Sequence, residues 1–310
     1  KNSDVVLENF RKGTLEKLGI GYDVISKINP KIILCEISGY GRTGPYADKG
    51  GFDLVAQGMS GLMSITGESK DKPPMKVGAP ITDITAGLLA ASGILAALVY
   101  RNKTGEGQKV DTSLFEAGIV HTYWQSAIAG ATGQSPGPLG SAHPLTAPYQ
   151  AFKTLDKWIT VGASNQNTWL MLLKAINRMD LQENEMFSSN FNRKKNITQL
   201  VEILNTELIK KTSDEWLKIF DDNGLPCGPI NSINEMFEDP QTIEREMIIK
   251  VDNKKAGTSK AIGMPIKFSK SKTEKSKGAP NLGEHTKEIM KIFDYNDEQI
   301  EDFYNRKVIL

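Results

Sequence analysis

Apolar and polar positions change rhythm several times along the chain, and each rhythm predicts an element. Residues 5–7 and 31–37 are brief β-branched runs that predict strands, the second leading into a glycine-rich turn. Between them, residues 13–18 and 22–28 have the spacing of short helices. Strand, helix and strand in this order predict an α/β domain with parallel strands. Residues 53–63 predict a helix, and residues 67–80 a loop holding Pro73, Pro74 and Pro80. From Ile84 to Val99 no charged residue occurs, and Asp83 stands alone at the head of this run. The run predicts a helix ending near Arg101. It is short for a membrane span and rich in Ala, Gly and Ser, so a buried core helix is expected. Residues 103–108 predict a basic turn, and residues 112–133 a further helix.

Residues 134–148 are dense in proline and glycine and predict a linker or crossover. Residues 149–154 and 158–162 then predict two strands around a turn, and residues 168–223 are mostly helical in pattern. Thr212 and Glu215 have the T-x-x-E spacing of a capping box. Residues 225–230 and 247–251 predict strands, and residues 286–305 an amphipathic helix.

Composition narrows the function classes. The chain has 310 residues, a net charge of +1, 39% hydrophobic and 24% charged residues. That balance is ordinary for a folded domain and argues against a general nucleic-acid surface or a polybasic anchor. The lysine-dense stretch 250–277 lacks interleaved aromatic residues for base stacking and reads as a solvated face. The two cysteines, Cys35 and Cys227, are far apart in sequence and form no disulfide framework, so a reducing, cytoplasmic setting is expected, with the mitochondrial matrix as its eukaryotic equivalent.

Few motifs carry chemistry. Gly39-Tyr40-Gly41-Arg42-Thr43-Gly44 fits G-x-G-x-x-G after a strand, but Pro45 follows where a dinucleotide site needs a helix to begin. A plain glycine turn is the expectation. His121, His143 and His285 have no metal-ligand spacing, so no metal site is expected. Asp83 admits two readings. Asp is a favoured N-cap, worth about 1 kcal/mol. The same position, ionised by the helix dipole and N–H donors, suits a nucleophile that attacks a thioester.

An ordered set of motifs resembles the class III coenzyme A transferases. The set runs through Val5-Val6-Leu7-Glu8-Asn9-Phe10-Arg11-Lys12-Gly13, Leu18-Gly19-Ile20-Gly21-Tyr22 and Ile37-Ser38-Gly39-Tyr40-Gly41-Arg42-Thr43-Gly44-Pro45. It continues with Gly51-Phe52-Asp53, Ser60-Gly61-Leu62-Met63, Thr82-Asp83, Thr104-Gly105-Glu106-Gly107-Gln108, Gly224-Leu225-Pro226-Cys227-Gly228-Pro229 and Leu282-Gly283-Glu284-His285-Thr286. The resemblance implies an α/β fold: a Rossmann-like large domain over residues 1–135, a smaller α+β domain with its linkers over 136–240, and a segment 241–310 returning toward the large domain. It implies an interlocked homodimer. It also implies that Asp83 is a nucleophile forming a mixed anhydride and then an aspartyl-CoA thioester. Coenzyme A and acyl-CoA would be substrates, with no permanently bound cofactor.

By the same resemblance Asn9, Phe10, Arg11, Lys17 and Lys49 line the coenzyme A site, although Lys17 reads equally well as an exposed helix lysine. Arg42, Phe52, Asp53 and His143 are the implied substrate contacts, with Arg42 or His143 as partners of a dicarboxylate. Asp53 is open between capping the next helix and orienting substrate, and His143 between a substrate contact and a satisfied loop histidine. Residues 141–143 and 148–154 resemble the succinyl-CoA–glutarate transferase branch. Two departures stand out. The chain opens on Lys1 and is strand-like by Val5, where the family begins with a strand–turn–helix segment, so a missing first segment is expected. The racemase branch has a His before the aspartate matching Asp53, whereas Phe52 stands here and supplies no base. A racemase-like isomerase and an inactive CoA-binding homologue are the alternatives to a transferase.

Overall fold

A computed structural model describes residues 2–271 and 278–310, which fall into two compact units, Lys1–Pro229 and Ile230–Leu310. The first unit begins with β1 (Val5–Glu8), the short helix α1 (Thr14–Lys17), α2 (Tyr22–Ile28) and β2 (Ile33–Ser38). After a long irregular segment come α3 (Asp53–Met59), α4 (Ile81–Thr104) and β3 (Lys109–Ser113). β1, β2 and β3 form a parallel sheet in that order, with Val5 opposite Ile33 and Leu34 opposite Lys109. The parallel strands expected of residues 5–7 and 31–37 are present. β3 begins just past the expected turn over 103–108, and its last two residues were expected to open a helix. Its two inner positions, Thr112 and Ser113, are polar, so it lacks the apolar signature of a buried strand.

α4 corrects the expectation of a buried apolar helix. It packs against β2 and β3. What it buries is small: Thr82, Ala86, Ala90 and Ala97. The large residues Ile84, Leu88, Leu95 and Val99 point outward, with Leu88 64% and Leu95 63% exposed. Small side chains let the helix approach the sheet closely, so the face that packs is the less hydrophobic one. By length and composition α4 is the one helix among the described residues that suffices to cross a membrane, yet one of its faces is seated on a sheet.

The predicted helix over 112–133 is two helices, α5 (Leu114–Val120) and α6 (Tyr123–Thr132), separated at His121 and Thr122. Ser113 caps α5 by accepting from the Glu116 N–H at 3.2 Å. A second, antiparallel sheet is built from β4 (Tyr149–Lys153), β5 (Trp158–Gly162) and β6 (Cys227–Pro229). Between β5 and β6 lie α7 (Gln166–Ala175), α8 (Asn190–Lys195), α9 (Ile197–Leu208) and α10 (Ser213–Asp222). The apolar stripes of α7, α9 and α10 meet β4 and β5 in a dry core that includes Phe152, Ile159, Trp169, Leu172, Leu200, Leu204 and Phe220. Arg193 is fully buried there. It stacks over Trp169 at 5.0 Å and donates to the carbonyls of Ala147 and Phe187, tying the 134–148 segment to the core. Thr212 and Glu215 form the expected capping box at α10.

The second unit holds α11 (Ile233–Glu238), α12 (Pro240–Glu244), the hairpin β7 (Ile248–Asn253) with β8 (Gly257–Ile262), α13 (Thr286–Ile292) and α14 (Asp297–Asn305). β8 was not anticipated, because four of its six residues are exposed and polar or small. The expected single helix over 286–305 breaks at Asp294, whose φ of 63° is left-handed. The described part of the lysine-dense stretch is largely this exposed hairpin and the irregular chain after β8; residues 272–277 lie outside the described residues.

Candidate active site

The C-terminal ends of β1 and β2 open onto a cavity of about 570 Å³. Asn9, Phe10, Arg11 and Lys12 line it after β1, and Ser38, which ends β2, and Gly39, which follows it, line it beside them. Lys49, Gly50, Gly51, Phe52 and Asp53 form another wall, and Asp83 and Leu114 complete it. The mouths of parallel strands are where ligand crevices form in open α/β sheets. The G-x-G-x-x-G segment is irregular here and no helix starts inside it, as Pro45 predicted.

Two glycines shape the wall. A Cβ on Gly51 would lie 2.5 Å from the Gly39 Cα, and one on Gly39 would lie 2.8 Å from the Gly51 Cα. The turn after β2 and the entry to α3 therefore touch backbone to backbone, and no side chain fits between them. Sequence reasoning missed Lys12, Ser38, Asp48, Gly50 and Gly51 as wall residues. The Gly50-Gly51 pair was the available signal.

Beneath this wall runs a buried charge network. Arg42 pairs with Glu8 through Nη2 and with Glu36 through Nε at 3.1 Å, and its Nη1 donates to the Phe10 carbonyl at 3.1 Å. Glu36 also meets Lys109 at 2.7 Å, and the Arg42 N–H donates to Asp111 at 2.9 Å. Glu8 accepts from the Phe10 N–H at 2.6 Å. Arg42 thus holds the two loops that frame the cavity. The guanidinium expected to partner a substrate carboxylate is committed here to Glu8 and Glu36, because burial demands that a charge be paired.

Asp83 is not an N-cap, contrary to the first of the two readings. α4 begins at Ile81 behind Pro80, and no side chain of that segment caps it. Asp83 sits in the first helical turn with its side chain reaching solvent at the cavity. The acceptor for the helix start comes from elsewhere: Asp53 Oδ1 accepts from the Thr82 N–H at 3.0 Å and the Thr82 hydroxyl at 2.8 Å. Asp53 leaves its own helix α3 without a side-chain cap. The helix terminus does not prevail over its surroundings either. Partial burial, and then the nearby Asp53 charge, raise the Asp83 carboxyl above the ordinary Asp range.

Eight of the residues singled out from the sequence line one cavity: Asn9, Phe10, Arg11, Arg42, Lys49, Phe52, Asp53 and Asp83. Phe52 is 78% exposed at its edge. Lys49 lies over the Tyr46 ring at 4.1 Å, and Lys12 pairs with Asp48 at 4.0 Å. Lys17 and His143 are not part of the wall. Lys17 is exposed in the last turn of α1. His143 makes the contacts of a satisfied loop histidine. Its ring packs edge-on against Trp124 and Tyr149, and its Nδ1 accepts from the Leu145 and Thr146 N–H groups. Burial, and then Lys194, lower its proton affinity.

Known proteins resemble the chain throughout. An acyl-CoA transferase of Fusarium pseudograminearum is 40% identical over 316 residues, covering 100% of this chain and 68% of that protein. The succinyl-CoA:glutarate CoA-transferase of Mus musculus is 36% identical over 300 residues, covering 96% and 68%. A CaiB/BaiF family protein from Brucella suis superimposes with a TM-score of 0.80 at 35% identity, covering 94% of this chain and 75% of that structure. The family model of CoA-transferase family III matches residues 1–286, and the chain belongs to that family.

Proposed function

We propose that this protein moves coenzyme A between an acyl-CoA and a small carboxylic acid through covalent intermediates on Asp83. The observation that carries the reading is Asp83 itself: a carboxylate free of any cap role, facing a cavity whose walls present glycine backbone and cations. In the first step an Asp83 oxygen attacks the thioester carbon, the C–S bond breaks and coenzyme A leaves as thiolate. The thiolate then attacks the Asp83 side-chain carbonyl of the mixed anhydride, releasing the donor acid and leaving an aspartyl-CoA thioester. The acceptor carboxylate attacks the Asp83 carbonyl of that thioester, the C–S bond breaks and a second mixed anhydride forms, and the expelled thiolate then attacks the acceptor acyl carbon and frees the Asp83 carboxylate. Each intermediate stays an activated acyl bond, so the thioester's free energy is carried through the exchange. Backbone N–H groups of Gly50 and Gly51 are the proposed donors to the developing oxyanion, and Arg11, Lys12 and Lys49 the proposed partners of coenzyme A phosphates.

The relative from Mus musculus is named for succinyl-CoA and glutarate, which supports dicarboxylates as the first substrates to test. The outward stripe of Ile84, Leu88, Leu95 and Val99 on α4 supports a homodimer, since so apolar a face needs cover. Incubation with succinyl-CoA followed by hydroxylamine is expected to leave a hydroxamate at Asp83, read by peptide mass. Asp83→Ala is expected to lose transfer by at least ~10³-fold while staying folded. A fully active Asp83→Ala protein would overturn the reading.

A further inference from the structure

Asp53, Gln57, Thr82 and Val77 form a closed polar relay between α3, the 67–80 loop and the start of α4. The amide of Gln57 is fully buried. Its Oε1 accepts from the Val77 N–H at 2.8 Å, and its Nε2 donates to Asp53 Oδ2 at 2.8 Å. The Val77 donor fixes which end of the amide faces which partner, so only the NH2 remains for residue 53. Oδ1 of Asp53 is already taken by two donors of the buried Thr82. Residue 53 must therefore accept on both oxygens, which a carboxylate does and a carboxamide does not. The relay calls for a negative charge beside Asp83, not merely for a polar side chain.

We infer that Asp53 is the positioning residue of the acyl transfer: it fixes the first turn of α4 through Thr82 and sets a charge against the free Asp83 carboxylate that acylation of Asp83 relieves. This rests on Asp83 as the nucleophile. In the mixed anhydride and the aspartyl thioester the Asp83 side chain is neutral, so repulsion from Asp53 acts on the free enzyme and fades as the bond to the acyl carbon forms. The neighbouring charges leave this opposition in place. Arg42 is held by Glu8 and Glu36, and Lys109 by Glu36. Asp111 accepts from the Arg42 N–H, Lys12 pairs with Asp48, and Lys49 lies over Tyr46. On α5, Glu116 holds Ser113, and His121, just past its end, holds Thr85. Arg11 lies beside Gly50.

The test uses the full chain with two variants, Asp53→Asn and the double variant Asp53→Asn with Gln57→Glu. In the single variant two amide NH2 groups face each other. In the double variant the new NH2 at position 53 donates to the new carboxylate at position 57, which still accepts from Val77, so the hydrogen bonds are restored while the charge moves a helical turn away from residue 53. Transfer from succinyl-CoA to glutarate is measured against pH, and the Asp83 carboxyl is titrated by carbon NMR. Asp53→Asn is expected to lower kcat about tenfold with KM within about twofold. Its acid limb and the Asp83 titration are expected to move to lower pH. The double variant is expected to regain the wild-type Tm but to keep the lowered titration and the lower kcat. Full recovery of kcat in the double variant, an unmoved Asp83 titration in both variants, or a rise in KM alone overturns the inference. If Asp83→Ala remains active, the inference falls with the nucleophile reading. A titration that still moves in the variants then shows that the fault lies in the reading and not in the charge coupling.

Discussion

Around β4, β5 and β6 the first unit buries tryptophan, phenylalanine and leucine against one another, whereas around β1, β2 and β3 it buries Glu8, Glu36 and Arg42 beside Ile33, Leu34 and the alanines of α4. The first region holds together through area removed from water. The second pairs charges and lets backbones touch, and it carries the candidate active site. A site proposed to take a highly charged coenzyme A thioester as substrate and to expose a carboxylate cannot be lined as a dry core. Stability and chemistry are thereby assigned to different sheets, and substitutions in the two should fail in different ways.

The sharpest contrast is expected from Trp169→Ala, which empties the dry core at a fully buried position. It should cost about 3–5 kcal/mol in urea unfolding, while the folded fraction retains its KM for acyl-CoA. Arg42→Met tests the other plan. Leaving Glu8 buried without its partner, and Glu36 with Lys109 alone, should cost about 3 kcal/mol and should also raise KM, because the Phe10 loop and the glycine turn lose their common anchor. A KM unchanged in folded Arg42→Met protein would break the comparison. Gly51→Ala is smaller: the added methyl must displace Gly39, at about 1–3 kcal/mol, with KM for acyl-CoA rising about tenfold.

The smallest effect concerns Asp83 and stability. Its folded-state proton affinity is raised, so the native state holds this proton more tightly than the unfolded chain does. Stability is lost as pH rises through that window. Asp83→Asn should therefore raise Tm at neutral pH by about 1–2 °C, and the gain should vanish below the carboxylate range. A Tm lowered at neutral pH would show that the carboxylate is held favourably after all.

Much of the fold was legible where a repeating pattern reports burial. The strands at β1, β2, β4 and β5 and the capping box of α10 arise from local rhythm and local hydrogen bonding. β3 and β8 were not legible, because both present polar residues and are strands only by virtue of their neighbours. The resemblance singled out eight of the cavity residues as site residues, but not what each does there. Asp83 looked like the cap of its helix and is not. Asp53 looked like a cap for α3 and instead serves α4, which starts 28 residues further along the sequence.

By itself, the sequence determined the family, the α/β class and Asp83 as the carboxylate to watch, because ordered motifs and uninterrupted apolar runs are properties of one dimension. Tertiary structure alone decided that the small face of α4 packs and its large face is exposed, that Arg42 is a strut, and that Asp53 and Asp83 line one cavity, with Asp53 bonded to the start of the helix that carries Asp83. Those facts depend on which backbones approach closely and which charges must find partners once water is excluded. No local spacing encodes that.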